Sequence, residues 1–473
     1  MSFLLKYRKR KHKIIRLKKD RMDSEKIKAL EKAPIKKLLI QYATPAIIAM
    51  VAASLYNLID SIFIGHGVGA LAISALALTF PLMNISAAIG SLIGGGGSTL
   101  LSVKLGQKDH KTAQLILGNV LIINVILGLL LSVVLLVFLN PILLFFGASE
   151  DTLPYAYDYM FIILIGNVIT HLYFGLNAIL RSSGHPKRSM QATILSVGIN
   201  AVLDALFIFG FDWGIQGAAW ATVIGQICGL IWQLNILRNP KELIHFKRGI
   251  YRLDWRLIKE MTSIGLSPFF MNLSSCVIII AINQSLARTG GDMAIGAYGI
   301  INRIFFVAAM IVMGINQGMQ PIAGYNYGAR LSDRVMQVLR LSIIAATTIT
   351  TSVFLAAQLY PNILAKMFTT DEELISIASQ GMRLVCLVFP IVGFQMVTSI
   401  FFQSIGAAKK AIFLSLTRQL IFLLPGLLIF SRLFGTVGVW MSFPIADSLA
   451  SLISAYMLRK EFRKFKENKV ATI

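Results

Sequence analysis

The run TPAIIAMVAASLYNLIDSIFIG, from Thr44 to Gly65, contains one charged residue, Asp60. A helix of this length crosses a hydrocarbon core of roughly 30 Å, whereas a soluble helix of similar length would show a polar face. This stretch therefore predicts a transmembrane helix. It also raises the question of why a carboxylate lies within it, because an intramembrane acid is energetically costly and usually has a function.

Apolar runs of this kind recur along the whole chain of 473 residues, which is 56% hydrophobic and only 14% charged, with a mean hydropathy of +0.71. Soluble domains carry about 25% charged residues. Twelve spans are expected, numbered 1 to 12, near residues 38–64, 72–98, 114–138, 156–180, 190–211, 214–236, 262–287, 294–320, 337–359, 381–405, 410–431 and 435–457. The composition predicts an all-α, multi-pass protein of the plasma membrane.

The net charge of +23 is distributed unevenly. Most lysines and arginines lie in the two tails and in alternate loops, near 100–113, 181–189, 238–260, 328–340 and 406–410. The positive-inside rule then places both termini in the cytoplasm. The basic N-terminal tail is expected to lie against anionic lipid headgroups, and its membrane context argues against nucleic acid.

The chain repeats itself at a spacing of about 222 residues. YATPAI (42–47) corresponds to GLSPFF (265–270), and GIQGAAW (214–220) corresponds to GTVGVWM (435–441). We expect a tail at 1–37, an N-lobe at 38–237 (spans 1–6), a cytoplasmic linker at 238–260, a C-lobe at 261–458 (spans 7–12) and a tail at 459–473. Two parallel six-helix repeats with a cavity between them are typical of secondary transporters.

Polar residues cluster on one face of span 1. Tyr56 and Asn57 precede Asp60 by four and three residues, so the three side chains share a helix face. Tyr56 alone also fits an interfacial anchor.

A second acid lies on span 5, where Asn200 and Asp204 are four residues apart and again share a face. From the span boundaries, Asp60, Asp204 and Thr222 of span 6 all lie some 8–12 Å below the outer surface, at about 1.5 Å per residue. Two carboxylates, an amide and a hydroxyl are therefore expected to meet in the N-lobe.

Two carboxylates in a low dielectric do not both stay ionised cheaply, so this pair is suited to carrying a proton. The oxygens of Asp60, Asn200, Asp204 and Thr222 also suit Na⁺, a hard cation. The residues leave the choice between H⁺ and Na⁺ open. No organic cofactor or nucleophile–base arrangement is indicated, so we do not expect an enzyme.

The C-terminal half differs at the equivalent places, because Asn283 stands where Asp60 would be. Asp447 is expected either to pair with Arg303, Arg383 or Arg418, or to add negative charge for a cationic substrate. Asn57, Asn177, Asn283 and Asp447 are the candidates for lining a substrate cavity. In span 2, Gly94–Gly97 suits close helix packing or local unwinding at a cavity.

Thr44–Gly65 and the run NAVLDALFIFGFDWGIQGAAWATVIGQ (200–226) resemble the multidrug and toxic compound extrusion (MATE) family. The resemblance implies two six-helix lobes around a V-shaped central cavity, and export of cationic or amphipathic drugs against H⁺ or Na⁺ inflow. Pro45 matches the family's span-1 bend, and the positions that match its N-lobe cation site are Tyr56, Asp60, Asn200, Asp204 and Thr222. The missing C-lobe acids, and Ala53 in place of a cavity glutamine, imply the branch with an N-lobe coupling site.

Two other functions compete with a monomeric drug exporter. A flippase for a lipid-linked saccharide or another amphipathic lipid would use a related fold, and it should tolerate neutral substitutions at Asp60 and Asp204 unless it too is ion-driven. A membrane receptor that does not transport would show no substrate export. The G-x-x-x-D-R-x-G-R motif of the other large twelve-span class is not matched by LGQKDHKTA (105–113).

Overall fold

The computed structural model describes residues 29–470, apart from the side chains of Asn57, Ala70, Lys466 and residues 468–470. Within that part every regular element is a helix. The first six spans are Ile35–Gly67, Ala70–Gly106, His110–Val137, Leu153–Ile165 with Asn167–Ser182, Pro186–Ala205 with Leu206–Gly210, and Gly214–Arg238. The second half consists of Trp255–Gly328, Ser332–Leu359, Glu372–Val385 with Phe389–Ser404, Ala408–Leu416 with Thr417–Leu423, and Leu424–Val470.

Two very long helices each contain more than one crossing. Trp255–Gly328 has 74 residues, and at about 1.5 Å per residue it would be roughly 110 Å long if straight, several times a membrane's thickness. Instead the backbone turns at Gly291 (φ 62°), and the last helix turns likewise at Gly435 (φ 59°). With these turns counted, the helices make the twelve spans that the sequence predicts.

The two halves share details beyond the number of spans. Short helices, Leu139–Phe145 and Pro361–Lys366, follow spans 3 and 9. Spans 4 and 10 are each broken in the middle, by 55° and 57°. These features recur at the spacing of the sequence repeat, and the chain is a two-lobed bundle of six helices per lobe.

We call the end of the bundle with loops 107–109, 183–185, 239–254, 329–331 and 405–407 the basic side, and the opposite end the far side. Toward the basic side, one core combines both halves, including Leu101 and Met261. Toward the far side the halves have separate cores, one around Met160 and one around Trp440. The lobes therefore pack together on the basic side, and the V-shaped central cavity opens on the far side.

Glycines make the contact between the lobes close enough for backbones to touch. A Cβ on Gly96 would lie 1.9 Å from the carbonyl oxygen of Met261, and one on Gly265 would lie 1.7 Å from that of Leu92. Only glycine allows this approach. Span 2 stays helical through Gly94–Gly97, so the packing interpretation of this run is confirmed and the unwinding interpretation is wrong. We call this contact of spans 2 and 7 the glycine seam.

A polar lock closes the same side. The Arg334 guanidinium donates from Nη2 to the carbonyl oxygens of Leu30 (2.9 Å) and Ala33 (2.7 Å). Its Nε donates to Asn326 Oδ1 at 2.9 Å. The side chain thus ties the segment before span 1 to spans 8 and 9 of the other lobe.

Arg334→Ala is expected to weaken the closed basic side by about 1–3 kcal/mol, because hydrogen bonds from a charged donor are lost. Thermal unfolding in detergent would measure this as a midpoint lowered by several degrees. Arg340→Ala is the matched control, since Arg340 is exposed on the same helix. Equal midpoints for the two variants would contradict the lock.

The stretch between the lobes without regular structure is 239–254, shorter than the expected linker 238–260, because Asp254 caps span 7. Its carboxylate accepts from the backbone N–H groups of Arg256 (2.9 Å) and Leu257 (3.3 Å). The linker is held on span 3, where Asn119 donates to the Arg252 carbonyl (3.0 Å) and accepts from Asp254 N–H (3.0 Å). The basic tail at 1–28 lies outside the described residues.

Candidate functional site: a buried carboxylate pair

Span 1 brings the first carboxylate inside the N-lobe. Tyr56 and Asp60 are one helical turn apart, and Asp60 is 7% exposed. The helix continues through Pro45 and ends at Gly67, seven residues beyond Asp60. Asp60 therefore lies about 10 Å below the far end of its helix at about 1.5 Å per residue.

Span 5 brings the second carboxylate to the same depth. Asp204 is fully buried, and Asn200 one turn earlier is nearly so. Immediately after it the helix widens into a π-helical segment, Leu206–Gly210, a local distortion often found at functional sites. Phe207 of this segment packs against the rings of Phe211 and Trp213.

Thr222 of span 6 joins these elements. Its Oγ1 lies 2.8 Å from the Tyr56 hydroxyl and accepts from Asn200 Nδ2 at 3.3 Å. Spans 5 and 6 are close because Gly225 faces the backbone of Ser196 and the side chain of Asn200. All five predicted residues of this group are thus brought together, as the common depth predicts.

The cluster contains acceptor oxygens without donors. The carboxyl groups of Asp60 and Asp204 interact with each other. Asp60 Oδ1, both oxygens of Asp204 and Asn200 Oδ1 are buried and accept no hydrogen bond from the described part of the chain. Such groups are costly, and each needs an explanation. A proton shared by the carboxyls, or a cation between the oxygens, would satisfy them.

Sequence reasoning missed Tyr159 of span 4. Its side chain is 2% exposed, and its phenol interacts electrostatically with both carboxyl groups. The run YAYDYMF (155–161) has tyrosines at three alternate positions. No feature of the sequence distinguishes the buried one, because the break in span 4 decides which side faces inward.

The residues predicted to line a substrate cavity are not part of the carboxylate cluster. Asn177 is in a separate pocket near the basic side, where it donates to the Ser189 carbonyl (3.1 Å) and accepts from Arg181 (3.4 Å). Asn283 is exposed on span 7. The side chain of Asn57 lies outside the described residues.

Asp447 has a partner in the C-lobe. Arg418 Nε donates to its Oδ1 at 2.6 Å. Of the three arginines considered as its partner, Arg303 and Arg383 are instead exposed. The described residues contain no group of three His, Cys, Asp or Glu side chains suited to a metal ion.

A twelve-span bundle of two lobes with a central cavity and a buried carboxylate pair has the architecture of a secondary transporter. The MatE family model matches residues 45–206 and 265–428, one copy in each half. The chain belongs to this family.

Individual relatives agree with this assignment. Multidrug export protein MepA of Staphylococcus aureus is 27% identical over 441 residues, which cover 93% of this chain and 97% of that protein. The solved structure of the MATE multidrug transporter DinF-BH is 36% identical, with a TM-score of 0.84 over 91% of this chain and 96% of that one. The outward-facing conformation of a multidrug resistance MATE family transporter of the MOP superfamily shares the fold, with a TM-score of 0.87 at 24% identity over 93% and 98% of the two chains.

Proposed function

We propose that this protein exports cationic or amphipathic small molecules across the plasma membrane, driven by inflow of H⁺ or Na⁺ through the N-lobe. The names of its relatives support multidrug export, since MepA is a multidrug export protein and DinF-BH is a multidrug transporter. The basic loops support a cytoplasmic location of the basic side and of both termini. The transporter acts as a monomer, with its basic tail against anionic lipid.

The main support for the proposed coupling site is the set of four acceptor oxygens without hydrogen-bond donors on Asp60, Asn200 and Asp204. Two adjacent buried carboxylates repel each other, and a bound cation removes that repulsion. Asn200 donates its amide hydrogen to Thr222, which leaves its Oδ1 available as an acceptor. Tyr56 and Thr222 hold this arrangement in place and are positioning residues.

Cation binding in this site changes the stability of the far side of the N-lobe. The site connects spans 1, 5 and 6, and its residues lie beyond the core shared by both lobes. With the cation bound, the three spans pack with less uncompensated charge, because one positive charge offsets one of the two carboxylates. The cation binds the conformation open on the far side and the conformation open on the basic side with different free energies. This difference couples the ion to substrate export.

Proteoliposomes loaded with a cationic dye identify the coupling ion. A pH gradient or a sodium gradient is imposed separately, and dye movement is followed by fluorescence. One of the two gradients is expected to drive dye movement in the wild type and to fail in Asp60→Asn, because an amide neither carries a proton nor supplies a charged ligand. Asp158→Asn is the matched control and is expected to behave as wild type, because Asp158 is partly exposed and an asparagine there still accepts the hydrogen bond from Gln216.

Dye movement that neither gradient drives, or that Asp60→Asn leaves intact, would overturn the proposed coupling. A lipid-linked flippase would then become the better interpretation. Dye binding without any movement would favour a receptor.

A further inference from the structure

The C-lobe contains a cavity of its own, with a volume of about 200 Å³, lined by residues of spans 8 to 12. Its walls are mostly apolar, and five of the fifteen lining residues are aromatic, including Tyr298, Phe305 and Phe389. The rings of Phe305 and Phe389 are stacked with centroids 4.9 Å apart. The two charged residues of the lining are Arg418 and Asp447.

The ion pair presents its positive half to this cavity. Asp447 is 8% exposed and Arg418 is 28% exposed. The guanidinium uses Nε for Asp447 Oδ1, and within the described part of the chain its two terminal nitrogens make no hydrogen bond. An arginine has five N–H donors, so four remain for a ligand.

The depth of the pair argues that it is more than a packing contact. Arg418 lies in the π-helical segment Thr417–Leu423, ten residues after span 11 begins at Ala408. At about 1.5 Å per residue this is some 15 Å into the bundle, near the middle of a membrane. A buried ion pair is often no more stabilising than apolar residues of the same size, so stability alone does not account for it.

We propose that this cavity is a substrate subsite that takes the carboxylate of an aromatic amphiphile, held by the terminal nitrogens of Arg418. The subsite rests on the proposed export function and names one class of its substrates. Arginine pairs with carboxylates through two parallel N–H···O bonds, and the aromatic side chains among the lining residues suit a planar ring. Pockets that enclose a whole drug measure roughly 300–1,000 Å³, so this cavity takes one end of the molecule.

The charge balance of the pocket favours an acid over a cation. The Arg418–Asp447 pair is neutral overall, and the carboxylate of Asp447 is largely covered. A cationic group entering the cavity would meet the donor face of the guanidinium. The alternative expectation from sequence, that Asp447 attracts a cationic substrate, has less support from this geometry.

Rhodamine 110 and its methyl ester, rhodamine 123, test the subsite because they differ only in the free carboxylate. Binding to the full-length protein in lipid nanodiscs is measured by isothermal titration calorimetry, without an ion gradient. The wild type is expected to bind the acid about tenfold more tightly than the ester, since a charge-assisted hydrogen-bonded pair is available only to the acid.

Two variants separate the charge from the packing. Arg418→Met with Asp447→Leu replaces the pair by apolar side chains of similar size, and it is expected to lose the tenfold preference while keeping ester affinity. Asp447→Asn leaves Arg418 without a counter-charge and is expected to bind the acid at least as tightly as wild type.

Equal affinities of the wild type for the two dyes would overturn the subsite, as would a double variant that weakens both dyes alike. Since calorimetry needs no gradient, its outcome is independent of the coupling assay. Gradient-driven export without an acid preference would overturn the proposed subsite but not the proposed coupling. An acid preference without gradient-driven export would overturn the proposed coupling but not the proposed subsite.

Discussion

Asp204→Asn is expected to abolish gradient-driven dye transport in proteoliposomes and to leave the protein folded. Asp204 is fully buried, and both of its oxygens accept no hydrogen bond from the described residues. The amide has nearly the same shape, but it neither binds a proton near neutral pH nor compensates a cation's charge. The residual rate should fall to that of liposomes without protein.

The melting temperature of the variant shows whether a loss of transport is due to misfolding. Removing one of two adjacent buried carboxylates removes a repulsion, so the melting temperature of Asp204→Asn should equal or exceed that of the wild type. Asp158→Asn, at a partly exposed position, should change neither transport nor stability. Normal gradient-driven transport by Asp204→Asn would exclude Asp204 from the coupling site.

Gly96→Ala is expected to force the lobes apart on the basic side. Its Cβ would lie 1.9 Å from the Met261 carbonyl oxygen, which belongs to helix backbone and has no rotamer to change. Ordinary contacts begin near 3.4 Å, so the seam must widen by about 1.5 Å and the closed basic side loses its packing. The conformational equilibrium should shift toward a form open on this side by at least about tenfold.

The neighbouring Gly95→Ala is a close control. Its Cβ would meet Pro268 at 3.5 Å, an ordinary contact, and both changes have the same effect on helix propensity. Labelling of Ser102→Cys, a buried position of span 2 that faces Gly324 of span 8, by a maleimide would report opening in a background without the three native cysteines. Equal labelling rates in the Gly95 and Gly96 variants would show that the seam does not hold the lobes closed.

The coupling cluster was predictable because its geometry is mostly local. Residues four apart on a helix share a face, which pairs Tyr56 with Asp60 and Asn200 with Asp204. Depth then follows from helix rise and span boundaries, which places Thr222 at the same level. The hydrogen bonds from Thr222 to Tyr56 and Asn200 realise that expectation.

Contacts between segments far apart in the chain were harder to predict from the sequence. The choice of Arg418 over Arg303 and Arg383 as the partner of Asp447 depends on how spans 11 and 12 rotate against each other. Tyr159 faces the carboxylates because span 4 is broken at Gly166. Neither the rotation nor the break leaves a periodic signal in the chain.

The sequence by itself determined the membrane class, the number of spans and the repeat, because hydrophobic length and charge distribution act on each segment separately. It also determined that the carboxylates lie at a common depth. Tertiary structure alone decided which backbones touch at Gly96 and Gly265, where the cavity opens, and which charged group faces the C-lobe pocket. These depend on the packing of helices far apart in the chain, which side-chain shape controls and local sequence pattern does not.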